Sequence, residues 1–234
     1  YGTDLEPIEI INKSIDRFNN INIEFKSNIK QQSIIDDPIS YNLDFKTYWP
    51  IKDSLFYYNY IKFNDPIDYK DIEIWVKYYN DTISVKKRLP IDNKITSVDK
   101  DADNNEIINL FNFSELYNSI KDKNLSIKDS KINNKEIFYI KAYSNKSKKK
   151  SIRIYIDKVT YAIYKIEWSD KRGKINKSII FDDWRVINKI DFSSQIIYED
   201  KKNDLKFTCK LDDIKFNEID DSDINKIKSG FSLD

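Results

Sequence analysis

The segment from Ile152 to Phe216 constrains the fold more than any other part of the chain, because apolar and polar residues alternate along it. Ile152, Ile154 and Ile156, for example, are each followed by a polar or aromatic residue. A period of two is typical of half-buried strands joined by hairpins. Gly173, the only glycine in the interior of the chain, lies in one of the turns, where we expect a left-handed backbone conformation. The segment therefore predicts a run of paired antiparallel strands.

Alternation and helical spacing predict the elements of the remaining chain. Further strands are expected at about residues 21–31, 39–49, 54–63, 71–79, 82–89 and 136–143. Apolar residues at helical spacing, with Pro7 in the first turn, predict an amphipathic N-terminal helix over about residues 6–20. A second, short helix is expected from Ser114 to about Asp122. It lies inside a polar region, at about residues 91–135, that we interpret as a loop or lid.

These elements limit the possible architectures. About eleven antiparallel strands do not form a flat open sheet, and two or three helices are too few to cover both of its faces. We therefore predict a mainly β (α+β) fold with a single strongly curved antiparallel sheet of about eleven strands. The sheet forms a half-barrel, with the N-terminal helix and short lid helices on its concave face. All of residues 1–234 belong to a single domain in this interpretation.

Composition excludes most catalytic chemistries. The 234 residues include no histidine, which excludes Ser-His-Asp and Cys-His nucleophiles and imidazole metal centres. Three glycines are too few for a dinucleotide-binding fingerprint or a P-loop. Cys209, the only cysteine, is expected to be a packed thiol. We therefore predict no enzymatic activity, no cofactor and no metal site.

The charge balance and the first residues of the sequence indicate which partners and which compartment to expect. The 40 basic and 39 acidic residues balance, so the sequence predicts no nucleic-acid partner. The lysine run at residues 146–150 is either a patch for anionic lipid headgroups or a solvated loop tip. The acidic residues at 218–223 lack the glycine and distal glutamate of a calcium loop, which favours a solvated turn. Because Tyr1 is not followed by a hydrophobic leader, we expect a mature form from which a signal peptide is absent.

Several segments, in order along the chain, carry short sequence motifs of a known kind. They are the opening helix with Ile23–Phe25, then Phe63–Asp71, Ile154–Tyr161, Lys165–Lys174 and Leu211–Ile224. Taken together they resemble the LolA/LolB-like superfamily of outer-membrane lipoprotein-sorting proteins, and the resemblance extends over nearly the whole chain. Asp71 stands where that family has a glycine.

This resemblance implies a function. It implies a periplasmic carrier that binds the acyl chains of lipoproteins in a hydrophobic cavity and transports them from the inner to the outer membrane, without covalent chemistry. The implied partners are acylated lipoproteins or other acyl lipids, an inner-membrane ABC transporter that releases the lipoprotein, and an outer-membrane acceptor. We expect the carrier to be a monomer. The alternative is an envelope lipid- or lipoprotein-sensing binding module on the same fold.

Two features of the family are missing from this sequence. LolA has an arginine directly before a proline on an early strand, which latches the lid, whereas Trp49 precedes Pro50 here. LolB has a lipidated N-terminal cysteine, and the only cysteine here is Cys209. The resemblance therefore implies a lid whose latch is absent or built differently.

One alternating face of each strand, closed over by the N-terminal helix, is expected to line the cavity. The candidate ligand-binding residues are Ile11, Ile15, Phe18, Leu43, Phe45, Trp49, Leu55, Tyr57, Ile61, Phe63, Ile72, Ile74, Val76, Ile179, Phe181, Phe192, Ile196, Phe207 and Leu211. Any one of them alone also fits an ordinary core position. Trp75, Trp168 and Trp184 are predicted on the opposite face of their strands, where they would contact a partner or a membrane.

Overall fold

The computed structural model describes residues 5–17, 21–33, 37–50, 56–79, 82–98 and 113–231. The helices within these residues are α1 (Pro7–Asp16), α2 (Phe113–Ile120) and α3 (Asp221–Ser229). The strands are β1 (Ile23–Ser33), β2 (Ile39–Tyr48), β3 (Phe56–Asp65), β4 (Glu73–Tyr79), β5 (Thr82–Arg88), β6 (Ile95–Val98), β7 (Asn124–Ile132), β8 (Lys135–Ser144), β9 (Ser147–Asp157), β10 (Ile163–Ser169), β11 (Ile175–Ile187), β12 (Ile190–Asp200) and β13 (Leu205–Phe216).

All of these strands belong to one sheet, in the order β6-β5-β4-β3-β2-β1-β13-β12-β11-β10-β9-β8-β7. Hairpin neighbours pair antiparallel, as in β2 with β3 and β11 with β12. The order begins at β6 and ends at β7, so the sheet is open and not closed into a barrel. This arrangement confirms the predicted mainly β fold with a single antiparallel sheet.

The described sheet has thirteen strands, two more than the predicted number of about eleven. The two additional strands, β6 and β7, both lie within the region 91–135 that the sequence analysis assigned to a loop or lid. They are the two edge strands of the sheet, and all of their residues are exposed or half-buried. Strand β6 has only four residues, and the alternation of β7 is interrupted by the polar residues 128–131, so neither shows the long period-two pattern of the central strands.

The chain is organised in two compact units. The first unit comprises Tyr1–Arg17, Gln31–Asp37 and Asn109–Thr208, and it contains α1, α2 and β7 to β12. The second unit comprises Phe18–Lys30, Pro38–Ile108 and Cys209–Asp234, and it contains β2 to β6 and α3.

Helix α1 is held by a capping box at its first turn. The backbone N–H of Glu6 donates to Oε2 of Glu9 at 2.9 Å, and Pro7 occupies the first helical position. Helix α1 contacts α2 and β7 in the first unit. It ends at Asp16, earlier than the predicted end near residue 20, and residues 18–20 lie outside the described part of the chain. The predicted short helix at Ser114 is confirmed as α2.

Helix α3 replaces the solvated turn expected at residues 218–223. Asp220 caps it, since its Oδ1 accepts from the backbone N–H of Asp223 at 2.8 Å. Ile227 of α3 is fully buried against Trp75 and Tyr60, and Nε1 of Trp75 donates to the carbonyl of Lys226 at 3.1 Å. The acidic residues of this segment therefore begin a helix that packs on the second unit.

Candidate functional site: two apolar sheet faces

The strand register brings the predicted cavity residues of the second unit onto one face. Across β2 and β3, Leu43 pairs with Phe63 and Phe45 with Ile61. Ile61 in turn pairs with Ile74 on β4. Directly paired residues of antiparallel strands project to the same side, so the face extends over at least three strands.

The remaining predicted residues of β3 and β4 follow by period two. Val76 lies two residues after Ile74 and therefore projects to the same side, where it pairs with Asn59 of β3. Tyr57 pairs with Tyr78 at the end of this row. Ile72 joins the face just before β4 begins, because its carbonyl accepts from the N–H of Phe63 at 2.9 Å.

Strand β1 and strand β13 add to the same face. The rings of Phe25 and Phe45 stack with centroids 4.6 Å apart. Ser27, two residues after Phe25, contacts the sulfur of Cys209, and Leu211 follows Cys209 by two. We call this set the apolar face of the second unit. Its members among the predicted residues are Leu43, Phe45, Tyr57, Ile61, Phe63, Ile72, Ile74, Val76 and Leu211, all of them buried.

Two pairs of polar groups on this face contact each other. The hydroxyl of Thr47 donates to Oδ1 of Asn59 at 2.9 Å, and Oγ of Ser27 lies 2.9 Å from Sγ of Cys209. Burial raises the pKa of Cys209 to about 12, against the smaller opposing effect of the Ser27 hydrogen bond. Cys209 is thus the packed thiol that the sequence predicts.

Aromatic rings concentrate at the end of this face. The ring of Tyr57 stacks on Trp49 at 4.5 Å and on Tyr78 at 4.3 Å. Trp49 itself is half-buried, and its backbone N–H donates to Oδ1 of Asn22 at 3.0 Å. The three rings form a continuous stack with a partly exposed end, which suits the border between apolar and wet surroundings.

The first unit has a corresponding face. Ile179 pairs with Ile166 on β10, and Phe181 pairs with Ile196 on β12. Phe192 lies four residues before Ile196 and so on the same side of β12. The ring of Phe207 lies 5.7 Å from that of Tyr198, the partner of Ile179. We call this set the apolar face of the first unit. Its members among the predicted residues are Ile179, Phe181, Phe192, Ile196 and Phe207, all of them buried.

The predicted residues include only part of this second face. Ile140 pairs with Ile154 on β9, which pairs with Ile166 on β10, and all three are buried. Their strands alternate clearly in sequence, so the same period-two argument would have found them. The face therefore runs from β8 to β12 within the first unit.

Helix α1 contributes its buried side to the first unit. Ile10 and Ile11 are fully buried, whereas Ile15 is only half-buried. Arg17, at the end of α1, donates from Nη2 to the carbonyl of Asp191 at the start of β12, at 2.6 Å. Burial lowers the pKa of Arg17, but it remains a guanidinium whose charge is opposed by Asp191 and Asp157. Phe18 and Leu55 lie outside the described residues.

The tryptophans follow the prediction only in part. Trp75 is on the opposite face, as predicted, but it is buried under α3 of the same chain and offers no surface to a partner. Trp168 was placed on the wrong side, because it lies two residues from Ile166 and shares the side of that residue. Trp184 pairs with Ser193 and therefore projects to the other side of the sheet from Phe192, which confirms its predicted side.

Among the described residues, no group of three or more His, Cys, Asp and Glu side chains is close enough together to hold a metal ion. In that same part of the chain, no helix has the length and apolarity that crossing a membrane requires.

Comparison with solved structures identifies the fold. A putative outer membrane lipoprotein-sorting protein domain from Vibrio parahaemolyticus superposes with a TM-score of 0.70 at 14% identity, covering 94% of this chain and 96% of that one. A LolA superfamily protein from Nitrosomonas europaea gives 0.63 at 12% identity, with 93% and 96% covered. The fold is LolA-like.

A third solved structure also has a similar fold. A DUF1329 family protein from Desulfovibrio piger matches the LolA-like fold of this chain with a TM-score of 0.73 at 11% identity, covering 93% of this chain and 97% of that one. No protein-family model and no curated protein matches the sequence. At these identities the likeness is one of fold, and it extends over nearly the full length of both chains.

Proposed function

We propose that this protein is an envelope carrier that binds the acyl chains of lipoproteins, or of other acyl lipids, against the apolar faces of its sheet. The observation that carries the proposal is the continuous apolar side of successive strands in each unit. In the second unit this side is built from directly paired residues such as Leu43 with Phe63 and Phe45 with Ile61. The LolA-like fold supports the same assignment, since the similar Vibrio domain is named for outer membrane lipoprotein sorting.

The chemistry of the faces suits a hydrocarbon ligand. Thr47 and Asn59, two polar residues of the second unit's face, bond to each other, and the predicted members of both faces are aliphatic or aromatic side chains. Each methylene removed from water is worth about 0.8 kcal/mol, and a single acyl chain is therefore worth on the order of 10 kcal/mol. A ligand of this kind needs area and exclusion of water, not specific hydrogen bonds. Binding and release then proceed without breaking a covalent bond.

Helix α1 is the proposed lid. Its Ile10 and Ile11 side chains are fully buried, and the Arg17 guanidinium holds its end to the carbonyl of Asp191. This contact takes the place of the family latch that is missing at Trp49-Pro50. Opening would expose two isoleucine side chains and break one charged hydrogen bond, a cost that arriving acyl chains offset by filling the same apolar surface.

The proposed route follows from the ligand. An acyl chain that has left one membrane must stay out of water until it reaches the next, so the carrier belongs between two membranes, in the periplasm. Its donor would be an inner-membrane ABC transporter and its recipient an outer-membrane acceptor. A monomer is sufficient for this role, because each chain contains its own apolar faces.

Native mass spectrometry with organic extraction, on protein purified from a bacterial envelope, tests this function. We expect co-purified acylated lipoprotein or acyl lipid. Two variants on neighbouring residues of β3 sharpen the test: Ile61→Asn alters the apolar face, whereas Lys62→Asn alters the opposite side of the same strand. Ligand should be lost from the first variant and kept by the second, with folding of both checked by circular dichroism.

Other results would change the assignment. An empty wild-type protein that also fails to bind added lipopeptide contradicts the carrier function. A protein that is empty of lipid but captures the extracellular part of a membrane protein would instead be the envelope-sensing module. Equal ligand loss in the two folded variants would show that the lipid lies elsewhere.

A further inference from the structure

The side of the first unit opposite its apolar face carries an ordered array of basic and tyrosine side chains. Cross-strand pairing aligns Lys128 of β7 with Tyr139 of β8, and Tyr139 with Tyr155 of β9. Tyr155 then pairs with Lys165 of β10. This row places two tyrosine rings between two lysines across four adjacent strands.

A second row runs parallel to the first. Lys141 of β8 pairs with Arg153 of β9, which pairs with Glu167 of β10. At the end of β8, the ring of Tyr143 lies 5.9 Å from both the Lys141 and the Lys148 ammonium groups. We call the set the basic–tyrosine face. Its members are Lys128, Tyr139, Lys141, Tyr143, Lys148, Arg153, Tyr155 and Lys165, and all of them are half-buried or exposed.

Positive charge is in excess on this face. Strands β7 to β10 are described throughout, and Glu167 is the carboxylate that lies within these rows. Lys165 approaches Glu167 at 2.6 Å, and the Tyr155 hydroxyl donates to it at 2.9 Å. Glu167 is therefore already used within the array, while Lys128 and Lys141 extend from it on other strands. The balanced net charge of the chain conceals this local excess.

The tyrosine rings keep the lysines on the surface without neutralising them. The ammonium of Lys128 lies 4.7 Å from the centroid of Tyr139, whose ring packs edge-on against Tyr155 at 5.2 Å. A cation over an exposed ring keeps its full charge and remains accessible to an anion. Tyrosine itself is favoured where one side is apolar and the other is wet, as at the surface of a bilayer.

We propose that the basic–tyrosine face docks onto a membrane surface rich in anionic phospholipids. Cations spread over four strands match a layer of mobile phosphate groups, which needs no fixed pattern of hydrogen bonds. Several basic side chains near an anionic leaflet act together, and their attraction falls off within a Debye length. The lysine run at residues 146–150, of which Lys148 belongs to the array, lies at its border. Docking by this face would leave the apolar face, on the other side of the strands, free for cargo.

Vesicle flotation measures this directly. Wild-type protein is mixed with vesicles of phosphatidylcholine alone or with phosphatidylglycerol added, at low and at high salt. The test variant is Lys128→Glu with Lys141→Glu. The control is Lys201→Glu with Lys202→Glu, which makes the same change of net charge at exposed lysines of the turn between β12 and β13.

We expect the wild type to float with anionic vesicles only, and less at high salt. The test variant should lose about tenfold or more in affinity while the control stays close to wild type. Equal loss in both variants, or binding to neutral vesicles alone, overturns the proposal. So does a wild type that ignores anionic vesicles but binds polyglutamate through the same lysines, which would mark an acidic protein partner. Binding of added lipopeptide by the same variants reports separately on the carrier function.

Discussion

Gly230 shows how a single residue determines the packing of an element. It follows α3, and a Cβ added there would lie 2.6 Å from Cδ2 and 2.8 Å from Cδ1 of Trp75. Such a contact forces the indole or the end of the helix to move. The glycine is therefore required by the close approach of α3 to Trp75.

Gly230→Ala is expected to destabilise the protein by about 1–3 kcal/mol. Chemical denaturation followed by tryptophan fluorescence measures this, and Asn225→Ala on the exposed side of α3 is the control. The emission of Trp75 should also shift toward the red as its burial is reduced. Unchanged stability and emission would mean that α3 is not seated on Trp75.

Asp157 gives a pH dependence at the residue scale. Burial raises the pKa of Asp157, but hydrogen bonds from the amides of Thr160 and Val159 and from the Tyr164 hydroxyl outweigh it and lower the pKa below its ordinary value. A carboxyl whose pKa is depressed on folding stabilises the fold above its unfolded pKa, about 3.9. This contribution is lost as the pH falls through the folded-state pKa.

Asp157→Asn should therefore be less stable than the wild type at pH 7, by about 1–3 kcal/mol, because a neutral amide accepts these hydrogen bonds less strongly. The difference should shrink below about pH 4. Urea denaturation across this pH range provides the measurement, and Asp122→Asn at an exposed turn is the control. A difference that grew on acidification would contradict the assignment.

At the scale of elements, the sequence predicted the strands that bury one side and expose the other. Leu43 and Phe45 of β2 alternate with polar residues, and the structure buries both. Strand β6 has only four residues and α3 has a single buried one, Ile227, so neither carries an apolar side long enough to detect. The predicted side of Trp168 is wrong because it depends on the pairing of Ile166 with Ile179 on β11, and the register between two strands is not visible in the sequence.

In the proposed carrier, helix α1 is the lid that controls access to the apolar face of the first unit. Arg17→Ala removes the hydrogen bond to the Asp191 carbonyl, and a hydrogen bond from a charged group is worth about 1.5–3 kcal/mol. Hydrogen exchange of the α1 amides should accelerate by about tenfold or more. Asn12→Ala, at an exposed position of the same helix, should leave the exchange rates unchanged or slower. Equal exchange in wild type and Arg17→Ala would show that Arg17 does not hold α1.

At the scale of the whole molecule, the fold and the proposed site differ in how far the sequence could predict them. The single antiparallel sheet follows from the number of alternating strands and is LolA-like, as the sequence resemblance implied. Which face is apolar also follows from period two. The basic–tyrosine face does not, because it depends on the register of four strands, and register is set by hairpin turns and bulges that the sequence leaves open.

Photo-crosslinking of a lipopeptide with a diazirine in its acyl chain tests the central claim most directly, because it maps the ligand on the wild-type protein. Peptide mapping should place the crosslinks on the apolar faces, for example at Phe45 and Ile61 in the second unit and at Phe181 and Ile196 in the first. Excess unlabelled lipopeptide should abolish them. Crosslinks that do not saturate, or that fall on the opposite side of these strands, would contradict the account of this protein as an acyl-chain carrier.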